Sequence, residues 1–356
     1  AQAAFRSSAE SCQCVLPRLP IIDCWRAGRP MAAGVSPALL DRFRSTYNAP
    51  STPVKGLLGK VSAKTIWSYW EQGVDVMPDF FKMCVDTWRH HNPNWDILVL
   101  EKRNLYDFLS EIDLPNRFAE MTSPQVASDC VRLALLSRYG GVWLDVSVLL
   151  RGSLDELCWD YISSGDASAA VFFHPHYGTC ALGKEDFTES WFIAAKAGNR
   201  FVLRWRDLLR ELMHNRLDTV GLLEHPLYQG IDLEGLAHLN EQFKADFDFR
   251  EYLCIHAMCH RLLETDPMLR HMWRQSFIRF DAAASAFKIQ LRAENQGVHT
   301  ALPFVTEPGY EQLTRGLKVI KFRTPDHCSF TLLTRAQILG QRGWLICKLF
   351  REAGVA

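Results

Sequence analysis

Residues 123–150 limit the possible folds more than any other stretch. Ser123 has the chemistry of a helix N-cap, and Pro124 sits where a first helical residue belongs. From Val126 to Leu136 the pattern is apolar on almost every side, which predicts a buried helix. Gly140-Gly141 ends that helix, because glycine enters left-handed backbone angles at little cost. Val142-Trp143-Leu144 and Val148-Leu149-Leu150 then form an apolar run of strand type, interrupted by Asp145-Val146-Ser147.

Three charges stand inside this apolar unit: Asp129, Arg132 and Asp145. A buried charge is costly unless it is paired, hydrogen-bonded or bound to a metal. Asp129 and Arg132 lie three residues apart and so share a helix face. They are either an internal ion pair that fixes the helix or two groups that grip a polar ligand. Asp145 closes an apolar strand, where open α/β sheets bind ligands.

The remainder of the chain narrows the classes. At 356 residues it can bury a large core as one large domain or two ordinary ones. Lys plus Arg equals Asp plus Glu, 40 each, so no bulk charge favours nucleic acid or an anionic membrane. The 11 cysteines show no paired C-x-x-C zinc spacing, and buried free thiols are the expectation. No run of 18 apolar residues predicts a membrane span. The chain begins with Ala, so localisation is left open: cytoplasmic, or Golgi and membrane-associated if an upstream anchor is missing.

Residues 1–60, poor in periodicity, read as a partly disordered N-terminal extension. Thr65 to Trp70 reads as a strand, Pro78 to His91 as a helix and Trp95 to Leu100 as a second strand. That β-α-β unit predicts parallel pairing with a right-handed crossover. Further strands are expected at Ala169–Phe173, Ser190–Ala195 and Val319–Phe322. Asn199 is expected to cap a helix running to about His214, residues 236–275 to be largely helical, and another helix to begin near Thr334. Alternating strands and helices predict a mainly parallel sheet with helices on both faces and a helical C-terminal part.

Ser128-Asp129-x-x-Arg132, the long apolar helix and Gly140-Gly141-x-Trp143-Leu144-Asp145-x-Ser147 resemble the capsular polysaccharide synthesis glycosyltransferases. These are related to the α-mannosyltransferase-like sugar-transfer enzymes with a DXD motif. Lys64 to Gly73, Cys84 to Trp88 and Asn92 to Trp95 are similar to the same family, and the resemblance runs from about residue 63 to about 200. It implies a GT-A nucleotide-sugar-binding sandwich over residues 61–356. The donor-binding core would span about 61–215, and the helical, acceptor-side part about 216–356. The implied reaction moves a sugar from a UDP- or GDP-sugar donor to a glycan or polysaccharide acceptor, with Mn²⁺ or Mg²⁺ as cofactor.

Carried onto matching positions, the resemblance gives Asp129 and Arg132 the donor sugar and Asp145 the metal. Ser147 replaces the second acid of D-x-D and is a provisional metal ligand. Trp67, on the first strand, either stacks on the donor's base or packs in the core. Trp143, flanked by apolar residues, is read as core. Trp191 and His256 join the donor-binding set, Glu189 either faces the acceptor or is solvated, and His174 and His176 flank Pro175 after a strand. Two other readings stand beside transfer. One is a phosphohydrolase using an Asp nucleophile. The other is a catalytically weak nucleotide-sugar-binding protein.

Overall fold

The computed structural model describes residues 61–175, 187–243, 247–295, 308–323 and 330–355. The extension expected over residues 1–60 and His176 lie outside them. Among the described residues the core is a six-stranded sheet in the order β2-β1-β3-β6-β5-β7. Its strands are β1 (Thr65–Tyr69), β2 (Asp96–Leu100), β3 (Gly140–Leu144), β5 (Ala169–His174), β6 (Phe187–Lys196) and β7 (Phe277–Asp281). A two-stranded sheet joins β4 (Val148–Leu150) to β8 (Val319–Lys321).

The β1 and β2 strands pair in parallel, as the β-α-β reading requires, and β1 pairs in parallel with β3. Between β3 and β5, β6 runs antiparallel to both, so the sheet is mainly parallel with one reversed strand. β5 and β6 are consecutive among the described strands and pair antiparallel. A strand not foreseen, β7, closes the edge in parallel with β5. Its residues are only half-buried, so the apolar signal there is weak.

Side chains alternate between the two faces with the strand period of two. Ile66, Val142, Phe172 and Phe192 enter one cluster with α1 (Asp79–His91) and the C-terminal helix Leu345–Glu352. Trp67, Trp143, Val171 and Ile193 enter the other. That cluster includes α2 (Pro124–Tyr139), α3 (Arg200–Leu212), α4 (Cys254–Thr265) and α5 (Pro267–Ser276). Both faces of the sheet are therefore covered by helices.

The organising unit forms for local reasons. Ser123 caps α2 by accepting from the Val126 N–H, and Pro124 is its first residue. Gly140 and Gly141 both have positive φ, 69° and 93°. A Cβ on Gly141 would also strike the Thr65 carbonyl of β1, so the turn needs glycine for two reasons. The apolar run after it is not one strand. The Val148 N–H donates to the Asp145 carbonyl at 2.9 Å, closing a tight turn. The chain thereby leaves the main sheet after Leu144 and re-enters as β4 beside β8. The six cysteines among the described residues are free thiols and all buried.

Candidate functional site

The turn between β3 and β4 sets Asp145 and Ser147 at one point, and α2, β6, α4 and β8 each bring a side chain to it. Arg132 on α2 is the hub. Its side chain is 5% exposed and pairs with Asp129 at 2.9 Å and with Asp145 at 3.0 Å. Its Nη1 also donates to Ser190 Oγ on β6. The guanidinium lies over the Trp143 ring, 5.0 Å from the centroid, while the Trp143 indole N–H donates to Asp145 Oδ1 at 3.0 Å. Trp143 is thus a core residue whose polar edge also orients the acid. Arg132 Nε is buried and has no hydrogen-bond partner among the described residues.

From the opposite side comes Lys321 on β8. Its ammonium donates to Asp145 Oδ2 at 3.0 Å and to Ser147 Oγ at 2.6 Å. The Lys321 main chain is tied down as well. Its N–H donates to the Ala286 carbonyl at 3.2 Å, and its carbonyl accepts from the Gln290 side chain. Phe322 N–H donates to the Ser147 carbonyl at 3.1 Å, which locks the two strands at this point. Sequence reasoning placed Lys321 on a strand but gave it no role. The available signal was the one used for Asp145, a charge inside a buried apolar run.

The electrostatics follow from burial and from these partners. Burial pushes the Asp129 carboxyl up to about 7, with Arg132 opposing and Asp145 adding to the rise. Burial also works against ionising Asp145, but the Lys321 ammonium and Arg132 guanidinium hold its carboxyl below the usual range. Glu189 on β6 is buried and pushed up to about 7, with Lys321 pulling the other way. The Trp191 indole also favours its ionised form. Two cations thus face one firmly ionised carboxylate and two acids whose ionisation burial opposes.

Of the other expected residues, His256 on α4 belongs to the cluster. Its Nδ1 bonds the Thr188 carbonyl at 2.7 Å, so Nδ1 carries the proton and Nε2 faces Ser190 Oγ at 3.4 Å. Burial lowers the His256 imidazole to about 4, so the ring is neutral at physiological pH. Trp191 packs against Phe172 with centroids 4.5 Å apart, and its carbonyl accepts the Asp145 N–H at 3.0 Å. Trp67 stands apart from the cluster. It is fully buried, packs against Phe108 and Tyr139, and donates from its indole to the Gly140 carbonyl at 2.8 Å. A ring covered on all sides offers no face to a base, so Trp67 is a core residue here. His174, buried at the end of β5, packs near Phe287.

The expected divalent cation meets an unsuitable donor set. Arg132 and Trp143 already occupy Asp145 Oδ1, and Lys321 occupies one direction on Oδ2 and one on Ser147 Oγ. A hard divalent ion would gain one carboxylate oxygen and a neutral hydroxyl beside an ammonium. Among the described residues no three His, Cys, Asp or Glu side chains stand close enough to share a metal. These residues fit a monovalent ammonium, not Mn²⁺ or Mg²⁺.

The polar cluster lies where a strand of the α/β sheet ends, the place at which open sheets of this kind hold ligands. The chain belongs to the capsular polysaccharide synthesis protein family, whose pattern it matches over residues 40–220. Among curated proteins it is 32% identical over 188 residues to the glycosyltransferase afumC of Aspergillus fumigatus, covering 49% of this chain and 45% of that one. It is 31% identical over 189 residues to the O-glycosyltransferase PaGT of Phomopsis amygdali, covering 50% and 46%. The chain thus spans less than half the length of these relatives. Among solved structures, the galactosyltransferase LgtC in complex with donor and acceptor sugar analogues overlaps 82% of this chain and 95% of its own. The identity is 13% and the TM-score 0.35, too loose a likeness to pair individual residues.

Proposed function

We propose that this chain is a glycosyltransferase of GT-A type, hexosyltransferase in class, that moves a sugar from a UDP- or GDP-sugar to an acceptor hydroxyl. The acceptor is a glycan or polysaccharide. The O-glycosyltransferase names among the relatives agree with transfer to oxygen. The transferring domain begins near residue 61. The observation that carries the reading is the Arg132 hub, a buried guanidinium that joins Asp129, Asp145 and Ser190 and retains an unpartnered Nε.

In the transfer, the anomeric carbon–oxygen bond breaks and its electron pair leaves on the terminal phosphate oxygen. The acceptor oxygen bonds the anomeric carbon, and the net reaction releases one proton to solvent. Asp129 accepts hydrogen bonds from sugar hydroxyls and Arg132 donates to the sugar or the diphosphate. Asp145 holds both cations in place, so their charge needs little rearrangement when the leaving group becomes negative. His256 fixes Ser190, which accepts from Arg132.

The phosphohydrolase alternative gains no support. Asp145 is engaged by three donors, and Ser147 stands where a second acid would be needed. The test is incubation of the chain with radiolabelled UDP- and GDP-hexoses, following release of the nucleoside diphosphate and transfer to hydroxyl acceptors. Release that depends on Arg132 supports the reading. Hydrolysis of a generic phosphate ester with no sugar release overturns it.

A further inference from the structure

We infer that the Lys321 ammonium is this chain's own counterion for the departing diphosphate, so that donor binding and sugar transfer proceed without a divalent metal. The inference rests on the sugar-transfer reading above and adds the identity of the cation.

The geometry carries it. A cation that bridges donor phosphates to an Asp-x-Ser turn must touch Asp145 and Ser147 together. The Lys321 Nζ does so, at 3.0 Å and 2.6 Å. It reaches the turn from a separate strand whose register sets Lys321 opposite Val148, the residue after Ser147. An ammonium has three N–H bonds. Two are spent on these oxygens, and the third has no partner among the described residues. Hydrogen bonds from the Gln290 side chain and to the Ala286 carbonyl anchor the lysine main chain, so the ammonium is held by a built frame.

The chemistry of the turn agrees. Serine in place of a second acid removes one negative charge, leaving a seat that balances one positive charge rather than two. Lys321 supplies that one charge. A divalent ion on the same oxygens would face the ammonium and the Arg132 guanidinium at close range, and like charges repel there. Lys321 has one N–H left, so a donor beside Asp145 is available to an incoming diphosphate.

The experiment is calorimetry of the whole chain with uridine, UDP, guanosine and GDP, first in EDTA and then with Mn²⁺. In EDTA the diphosphate that binds should do so at least about tenfold more tightly than its nucleoside, and Mn²⁺ should change that ratio by less than about twofold. Lys321→Met should remove the diphosphate increment and leave nucleoside affinity unchanged, and Lys321→Arg should retain part of it. A diphosphate increment that appears only with Mn²⁺ overturns the inference. That wild-type comparison decides the matter even if Lys321→Met does not fold. If neither UDP nor GDP binds in either buffer, the sugar-transfer reading falls and this inference falls with it, an outcome distinct from metal-dependent binding.

Discussion

Arg132 and Asp145 meet at 3.0 Å across the junction where α2 gives way to β3, thirteen residues apart in the chain. The glycine pair between them brings a helix side chain and a strand-end side chain onto one point. Asp145 is engaged on its other oxygen by Lys321 and is the fixed anion around which both cations are arranged.

Removing Arg132 should cost far more stability than neutralising Asp129. Arg132→Met strips a buried partner from Asp129 and Asp145 and should destabilise by about 3–5 kcal/mol. Asp129→Asn imitates a carboxyl already pushed up to about 7, so its stability cost should stay within about 1 kcal/mol. Asp129→Asn should still bind the free nucleoside diphosphate and lose the extra affinity that the sugar supplies. Melting curves and calorimetry with UDP, GDP and their hexose conjugates test this. Parallel loss of both affinities with a collapsed melting temperature would make the pair purely structural.

Glu189 should impose a pH dependence on stability. Its folded-state carboxyl is raised from 4.5 to about 7, so between those values the native chain holds a proton that the unfolded chain has lost. Its contribution therefore falls as pH rises through that window. Glu189→Gln removes the titration and should gain on the wild type by about 1–3 kcal/mol across it. Urea unfolding of both proteins at a series of pH values reads the difference. A constant difference would mean that Glu189 is not buried in solution.

Replacing His256 separates its packing from its hydrogen bonds. The ring stacks on Phe187 at 4.4 Å and bonds the Thr188 carbonyl at 2.7 Å. His256→Phe keeps an aromatic partner but strands that carbonyl, which should cost about 1–3 kcal/mol. Nucleotide-sugar affinity should also fall, because Ser190 loses its partner opposite Arg132. Unchanged affinity would remove His256 from the site and leave it a core residue.

Ser147→Asp tests the charge balance of the turn. A second carboxylate beside Asp145 should strengthen the hold on the Lys321 ammonium, raise the melting temperature and still give no Mn²⁺ site. The double variant Ser147→Asp with Lys321→Met leaves two carboxylates without the ammonium and should bind Mn²⁺, read directly by electron paramagnetic resonance. Mn²⁺ binding by the wild type as tight as by the double variant would show that the lysine does not fill the seat.

The sequence by itself determined the elements with strong local causes. The Ser123-Pro124 cap, the all-round apolar pattern and Gly140-Gly141 specify α2 and its end to within a residue. Strands β1, β3, β5 and β8 were legible from short buried runs, and the Asn199 cap marked α3. Asp129, Arg132 and Asp145 were legible as a group, because charge inside an apolar unit demands a partner and these three lie close in the chain. Beyond the parallel pairing of β1 with β2, which the β-α-β pattern implies, local pattern does not encode which strand pairs with which, or in which direction. The reversal of β6, the exit of the chain from the main sheet at Asp145 and the recruitment of β7 were decided by tertiary contacts. Trp67 illustrates the same limit, since a strand tryptophan reads alike whether its ring meets a ligand or Phe108 and Tyr139. Lys321 is the sharpest case. It lies 174 residues from Ser147, and only the antiparallel pairing of β8 with β4 brings the ammonium to the turn, where burial makes its charge count.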